Sequence, residues 1–171
     1  MSIIPFDEED DGEDVTANPL DLVEQIVVAN EWAYDRSSES SLVVEIAGQW
    51  AEYRLFFSWR NELSVMQFCC AADVRVPPAR RAAVQELLML ANEKLWIGHF
   101  GASFTDNLLT FRHATLLRGA ASASVEQLED LVDIALAEFD RFYPAFQFVV
   151  WGGKNAVDAL SLAVLEPVGE A

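Results

Sequence analysis

Two histidines, two adjacent cysteines and a few Glu and Arg residues on strand-like segments are the groups in this chain that could do chemistry. A metal site or an acid–base pair would need His99 and His113 on one side of the backbone. Between them, Phe100, Ala102, Phe104, Leu109 and Phe111 alternate with smaller or polar residues. That pattern reads as a half-buried antiparallel hairpin turning at Asp106-Asn107, with His113 facing Phe100 and His99 on the opposite face. Two histidines so placed cannot share a substrate or a metal, and each reads as packing. Cys69 and Cys70 are neighbours, so on a strand their side chains diverge and a disulfide is unfavourable. Zinc would need further ligands, and there are no other cysteines. They read as a buried, inert pair.

Glu52, Arg54 and Arg112 fall on the more polar faces of two hairpins. A carboxylate with an arginine clamp is one reading, but a surface ion pair is the commoner arrangement. Gly152-Gly153-Lys154 imitates a phosphate cradle, yet it lacks the spaced first glycine and reads as a helix C-cap. No Gly-x-Ser-x-Gly elbow and no dinucleotide fingerprint occur. The acidic run Asp7-Glu8-Glu9-Asp10-Asp11-Gly12-Glu13-Asp14 lacks calcium-loop spacing. No catalytic, cofactor-binding or metal-ligating residue is assigned, no cofactor is expected, and the chain reads as no enzyme.

The elements around these residues are legible. Residues 1–16 read as a disordered acidic tail, either a solubilising leader or a short interaction arm for a basic surface. Residues 17–168 read as one α+β domain. Asn18 caps a helix that Pro19 opens and that fades near Asn30, with Leu20, Val23 and Val27 inward. Short strands are expected over Trp32 to Arg36 and Leu42 to Ile46, joined by a serine-rich turn.

Next, Ala51, Tyr53, Leu55, Phe57 and Trp59 alternate with Trp50, Glu52, Arg54, Phe56 and Ser58. Leu63 to Ala72 alternates too. A turn at Asn61-Glu62 would set Trp59 against Ser64, Phe57 against Met66, Leu55 against Phe68 and Tyr53 against Cys70.

Pro77-Pro78 ends the strands, and a helix is expected from 78 to about 95, with Val84, Leu87, Leu88, Ala91 and Leu95 as its stripe. After the 99–114 hairpin, Ser124 and Gln127 form a capping box for a third helix. Pro144 is expected to interrupt that helix at Tyr143. A last helix is expected over Asn155 to Leu165, with Ala156, Leu160 and Val164 inward. The order is one helix, four strands, one helix, two strands and a helical C-terminus. Hairpin connections favour an antiparallel sheet with helices over one face.

Charge narrows the partners. Acids number 28 and bases 11, for a net −17, and the run at 7–14 carries seven of those charges, leaving the remainder at −10. Nucleic-acid backbones and anionic membrane surfaces would be repelled. A basic start and an apolar h-region are missing at the N-terminus, so a cytoplasmic protein is expected. Five Trp, three Tyr and 11 Phe exceed what one core is expected to need. Trp50, Phe56, Trp96 and Trp151 are the candidates for exposure, and exposed aromatics favour a protein interface.

Ala72-Asp73-Val74-Arg75-Val76-Pro77-Pro78-Ala79-Arg80-Arg81, leading into Leu95-Trp96-Ile97-Gly98-His99-Phe100, resembles bacterial YbjN-domain proteins. So does Tyr143-Pro144-Ala145-Phe146 with Trp151-Gly152-Gly153-Lys154. The likeness runs over roughly residues 18 to 168. It implies a fold similar to type III secretion chaperones, a tendency to dimerise and a role as a sensory-transduction regulator. It implies no catalytic residues. The expected function is therefore a non-enzymatic, chaperone-like regulatory domain, a homodimer binding a protein partner through an aromatic-rich surface. The alternative is a small-molecule sensor with an aromatic-lined pocket between sheet and helices.

Overall fold

Residues 16–165 are described by the computed structural model of the chain. The acidic run at 7–14 and the Pro167-Val168-Gly169 segment lie outside them. In order, the elements are α1 (Pro19–Ala29), β1 (Ala33–Ser38), β2 (Ser41–Ala47), β3 (Glu52–Arg60), β4 (Val65–Asp73), α2 (Arg81–Asn92), β5 (His99–Ser103), β6 (Leu108–Leu116), α3 (Val125–Val150) and α4 (Ala156–Leu165). The strands form one antiparallel sheet in the order β1-β2-β3-β4-β6-β5. The chain leaves β4 through α2, enters at the far edge as β5 and returns as β6 beside β4. The helices cover one face, as the expected α+β class requires.

Local chemistry sets the helix starts. Asn18 Oδ1 accepts the Leu20 N–H at 3.0 Å. Ser124 and Gln127 exchange side-chain and backbone hydrogen bonds at 2.9 and 3.1 Å, a complete capping box. Each cap satisfies amide donors that the first helical turn leaves open. Before α2, Pro78–Arg80 is a 3-10 turn, so the α-helix proper begins three residues later than expected.

The hairpin faces are as expected, but both registers are shifted by two. Phe57 faces Phe68, Leu55 faces Cys70 and Tyr53 faces Ala72. The turn is Asn61–Ser64, a 3-10 turn closed by Ser64 at φ 47°, where two residues were expected. In the second hairpin Phe100 faces Phe111, and His113 faces Phe68 on β4 instead. Its turn spans residues 104–107 and places Asn107 at φ 55°. A slip of two residues keeps every side chain on its face, because the pleat repeats every two.

Beneath the helices, Phe100 is the hub of the core. Its ring lies 5.7 Å from that of Phe111 and 5.3, 5.6 and 5.8 Å from those of Phe139, Phe142 and Phe146 on α3. These tilted and edge-on contacts suit the aromatic quadrupole. α1 adds Leu20, Val23 and Val27, and α2 adds Val84, Leu87 and Ala91.

α3 does not break at Pro144; it continues to Val150. Proline removes one helical donor, leaving the Asp140 carbonyl without its partner. The Trp50 indole N–H takes that carbonyl at 3.2 Å. Phe139, Phe142, Tyr143, Ala145 and Phe146 around the proline are all buried, so packing holds the helix through it. In α4 the inward set is Ala156, Ala159 and Leu160, while Val164, expected inward, is half exposed.

Candidate functional site

The residues with chemical potential do not converge. Cys70 is buried on the covered face, and burial pushes its thiol far above the ordinary value. Cys69, on the uncovered face, is also raised by burial, with Arg112 pulling weakly the other way. Both are free thiols held in the protonated, unreactive form near neutral pH.

His99 lies opposite Arg112 on the uncovered face. His113 is on the covered face opposite Phe68, and its imidazole is lowered, first by burial and then by His99. Glu52, Arg54 and Arg112 are exposed. The Arg54 guanidinium lies 5.9 Å from the Phe56 ring centre, and its cross-strand neighbours are Glu45 and Ala71. Glu52, Arg54 and His99 therefore form no buried cluster. Among the described residues, no three His, Cys, Asp or Glu side chains gather as metal ligands, and no helix is long and apolar enough to cross a membrane.

Gly152-Gly153-Lys154 closes α3 as a C-cap. The Gly152 and Lys154 N–H groups donate to the carbonyls of Gln147 and Phe148, with Gly153 at φ 65°. Arg80 then donates through Nε to the Val149 carbonyl at 2.7 Å and through its terminal nitrogen to the Lys154 carbonyl. A cation on free carbonyls at a helix C-terminus is favourable, and it fixes the start of α2 to the end of α3.

Cavities bear on the two expected functions. Between sheet and helices, an apolar void lined by Val23, Val27, Trp32, Leu55, Phe57 and Leu128 holds about 10 Å³. Ligand pockets need roughly 300 Å³ or more, so this void takes no small molecule. Two open depressions lie at the sheet ends. One, of about 580 Å³, is lined by Glu45, Glu52, Arg54 and Asp73. The other, of about 720 Å³, is lined by Asn18, Ser40, Trp59, Arg60 and Glu62. Both are lined mainly by polar and charged residues, with Tyr53 the one aromatic in the first and Trp59 in the second.

What the surface does carry is exposed apolar area on the helical layer. Trp96 is fully exposed, Met89 64% and Trp151 60%. Val157 and Val164, one face of α4, are also half exposed. α4 has only Asp158 and Ser161 as polar residues. A helix apolar on all sides ordinarily needs cover on all sides, and α4 is covered on one, where it packs on α2 and α3. Exposure of Trp96 and Trp151 matches the sequence expectation. Trp50 is 41% exposed but tied to Asp140, and Phe56 is half-buried. The α4 face and Met89 escaped sequence reasoning, although the scarcity of polar residues in α4 was a signal.

Residues 19–148 match a family, YbjN, described as "Putative bacterial sensory transduction regulator". The crystal structure of YbjN from E. coli, titled "a putative transcription regulator", aligns with a TM-score of 0.52 at 12% identity, covering 70% of this chain and 84% of that chain. At that identity the likeness is one of fold. No curated protein matches the sequence. Trp151 and α4 lie beyond the residues that the family matches.

Proposed function

The chain belongs to the YbjN family, and we propose that it is a non-enzymatic regulatory domain that binds a protein partner through the exposed apolar surface of α2 and α4. The observation that carries this reading is the joint exposure of Met89, Trp151, Val157 and Val164 on one helical layer. Isolated exposed apolar residues are ordinary, but a one-sidedly covered apolar helix beside an exposed tryptophan marks an interaction site. The partner surface is apolar at its centre. The chain as a whole is acidic, with a net −17, which disfavours nucleic acid as the partner.

The reading includes self-association as a homodimer and residence in the cytoplasm. Sedimentation as a monomer at micromolar concentration would count against the homodimer. Affinity capture with the full chain, run beside the double variant Met89→Glu and Val157→Glu, tests the surface. The expected result is a defined protein retained by the parent and lost by the variant, with unchanged circular dichroism. Equal retention by both would remove α2 and α4 from the account. The sensor alternative is weakened by the 10 Å³ void.

A further inference from the structure

β6 is longer than the strand at its outer side. β5 pairs with Leu108 to Arg112, and beyond Arg112 no described strand lies against β6 on that side. The ladder shows which backbone groups this leaves open. At its two ends Val74 donates its N–H to the Asn107 carbonyl, and Leu117 donates its N–H to the Ser64 carbonyl. Both bonds continue the β4–β6 register, so odd-numbered residues of β6 bond towards β4 and even-numbered ones point away from it. Leu108, Thr110 and Arg112 meet β5. Ala114 and Leu116 meet no backbone partner among the described residues. Both are exposed, Leu116 to 79%.

Open edges are ordinarily blunted or covered. On β5 the Asn92 side chain takes both backbone groups of Phe100. On β6 the neighbouring chain turns away instead. In the register of β5, Gly98 would face His113 and Ile97 would face Ala114, but Gly98 takes φ 72° against the Phe111 ring. Just before it, Trp96 is fully exposed and Ile97 41% exposed. The charge here is also opposite to that of the whole chain. Residues 94–125 hold three bases, Lys94, Arg112 and Arg118, and one acid, Asp106, in the turn at the far end of β6. Arg112 and Arg118 stand two residues before and two after the open pair, both exposed, and among the described residues neither takes part in a salt bridge. This arrangement disfavours a second copy. Antiparallel pairing of two such edges about Thr115 would set each Arg112 against an Arg118, like charge on like.

We propose that the edge of β6 at Ala114 and Leu116 is a strand-addition site for an extended acidic peptide segment of a partner protein. The N–H and carbonyl groups of these two residues hold the added strand in the plane of the sheet. Carboxylates along the segment answer Arg112 and Arg118, and alternate apolar side chains cover Trp96 and Ile97. The site is separate from the α2–α4 surface and stands without it. Its ionic part weakens with salt, because the screening length falls from about 10 Å at 0.1 M to about 3 Å at 1 M ionic strength.

The test follows amide chemical shifts of the full chain by NMR while a blocked peptide of alternating glutamate and valine is added. Its comparators are the same peptide with lysine for glutamate, and two isomers N-methylated at every glutamate or at every valine. Expected are saturable shifts at residues 96–98 and 112–118, with binding at least about tenfold weaker for the lysine peptide. Only one N-methylated isomer should bind, because alternate N–H groups of an added strand point into and away from the sheet. Ala114→Pro removes an outward N–H at an edge position where proline is tolerated. It should weaken binding by at least about tenfold while the shifts of β3 and β4 stay in place. No shift at 112–118 up to millimolar peptide would overturn the proposal, as would equal binding of both isomers or of the lysine peptide. Shifts at 112–118 that change when the free chain is diluted would make a second copy the occupant and overturn it too.

Discussion

Trp50 donates its indole N–H to the main-chain carbonyl of Asp140, four residues before Pro144. It is the carbonyl to which residue 144 would donate if it had an N–H. A loop tryptophan thus supplies the hydrogen bond that the helix cannot make. This lets α3 run from Val125 to Val150 as one rod and present Phe139, Phe142 and Phe146 together to Phe100.

Trp50→Phe removes that donor and keeps most of the ring. A cost of about 1 kcal/mol is expected, the scale of one hydrogen bond in a partly exposed setting. In a Pro144→Ala background, the N–H restored at position 144 reclaims the carbonyl, and the cost of Trp50→Phe should fall towards zero. Urea unfolding of the four proteins measures this coupling. Equal costs in both backgrounds would show that Trp50 acts through packing alone.

The Asp140 side chain is a separate case. Its Oδ1 and the Tyr53 hydroxyl are buried without a hydrogen-bond partner in the described structure, and burial pushes the Asp140 carboxyl above the ordinary carboxylate range. A raised carboxyl is held more comfortably in its neutral form. Its contribution to stability is therefore present below the ordinary value of 3.8 and is lost as pH rises through the raised one. Asp140→Asn should raise the Tm at pH 7, and the gain over the parent should shrink near pH 3.5. Thermal melts of both proteins at the two pH values check it, and a gain that grows on acidification contradicts it.

Burial also raises Tyr53 and Tyr143 above the phenol value of 10.0. Both should contribute stability that is present below pH 10 and lost above it. Tyr53→Phe deletes an unpaired buried hydroxyl, so at pH 7 it should be neutral or stabilising by about 1 kcal/mol. Above pH 10 its melting curve should decline less steeply than the parent's. A loss of more than about 1 kcal/mol at pH 7 would reveal a partner for the hydroxyl.

Much of this was legible in the sequence, and the rest was hidden for physical reasons. Asn18 and the Ser124–Gln127 box are local chemistry and mark their helices directly. Face sorting in both hairpins is also local, since it follows from alternation. The registers were not, because Ser64 and Asn107 adopt positive φ in four-residue turns that no residue type there compels. Continuation of α3 through Pro144 depends on Trp50, which is 90 residues from Asp140 in sequence. The α4 surface was missed because inward and outward positions of an apolar helix look alike in sequence.

Edge protection gives another expectation. The Asn92 side chain donates to the Phe100 carbonyl at 3.0 Å and accepts the Phe100 N–H at 2.7 Å, so it occupies the place of a neighbouring strand on β5. Asn92→Ala removes both bonds and frees an edge that can pair with another chain. A loss of about 1–3 kcal/mol is expected, together with concentration-dependent association seen by light scattering. A stable variant that stays monodisperse would contradict this role.

Gly98 sits at φ 72° before β5, and a Cβ there would collide with the Phe111 ring. Gly119 has φ 83° with open space around it. Gly119→Ala should cost about 1 kcal/mol, from backbone conformation alone. Gly98→Ala should cost at least about 1 kcal/mol more, because the Phe111 ring must also move. Equal costs in denaturant unfolding would mean that the core around Phe111 yields freely.

Protein binding by the surface of α2 and α4 is tested most directly with a photo-reactive phenylalanine analogue. It is placed singly at Met89, Val157 or Gln67, irradiated in the cells that make the protein and read by mass spectrometry. Gln67 lies exposed on the uncovered sheet face and serves as the reference. Expected is the same defined adduct from positions 89 and 157 and none from 67, with an adduct to a second copy of the chain identifying the homodimer. No adduct from 89 and 157, or the same yield from all three positions, would contradict it.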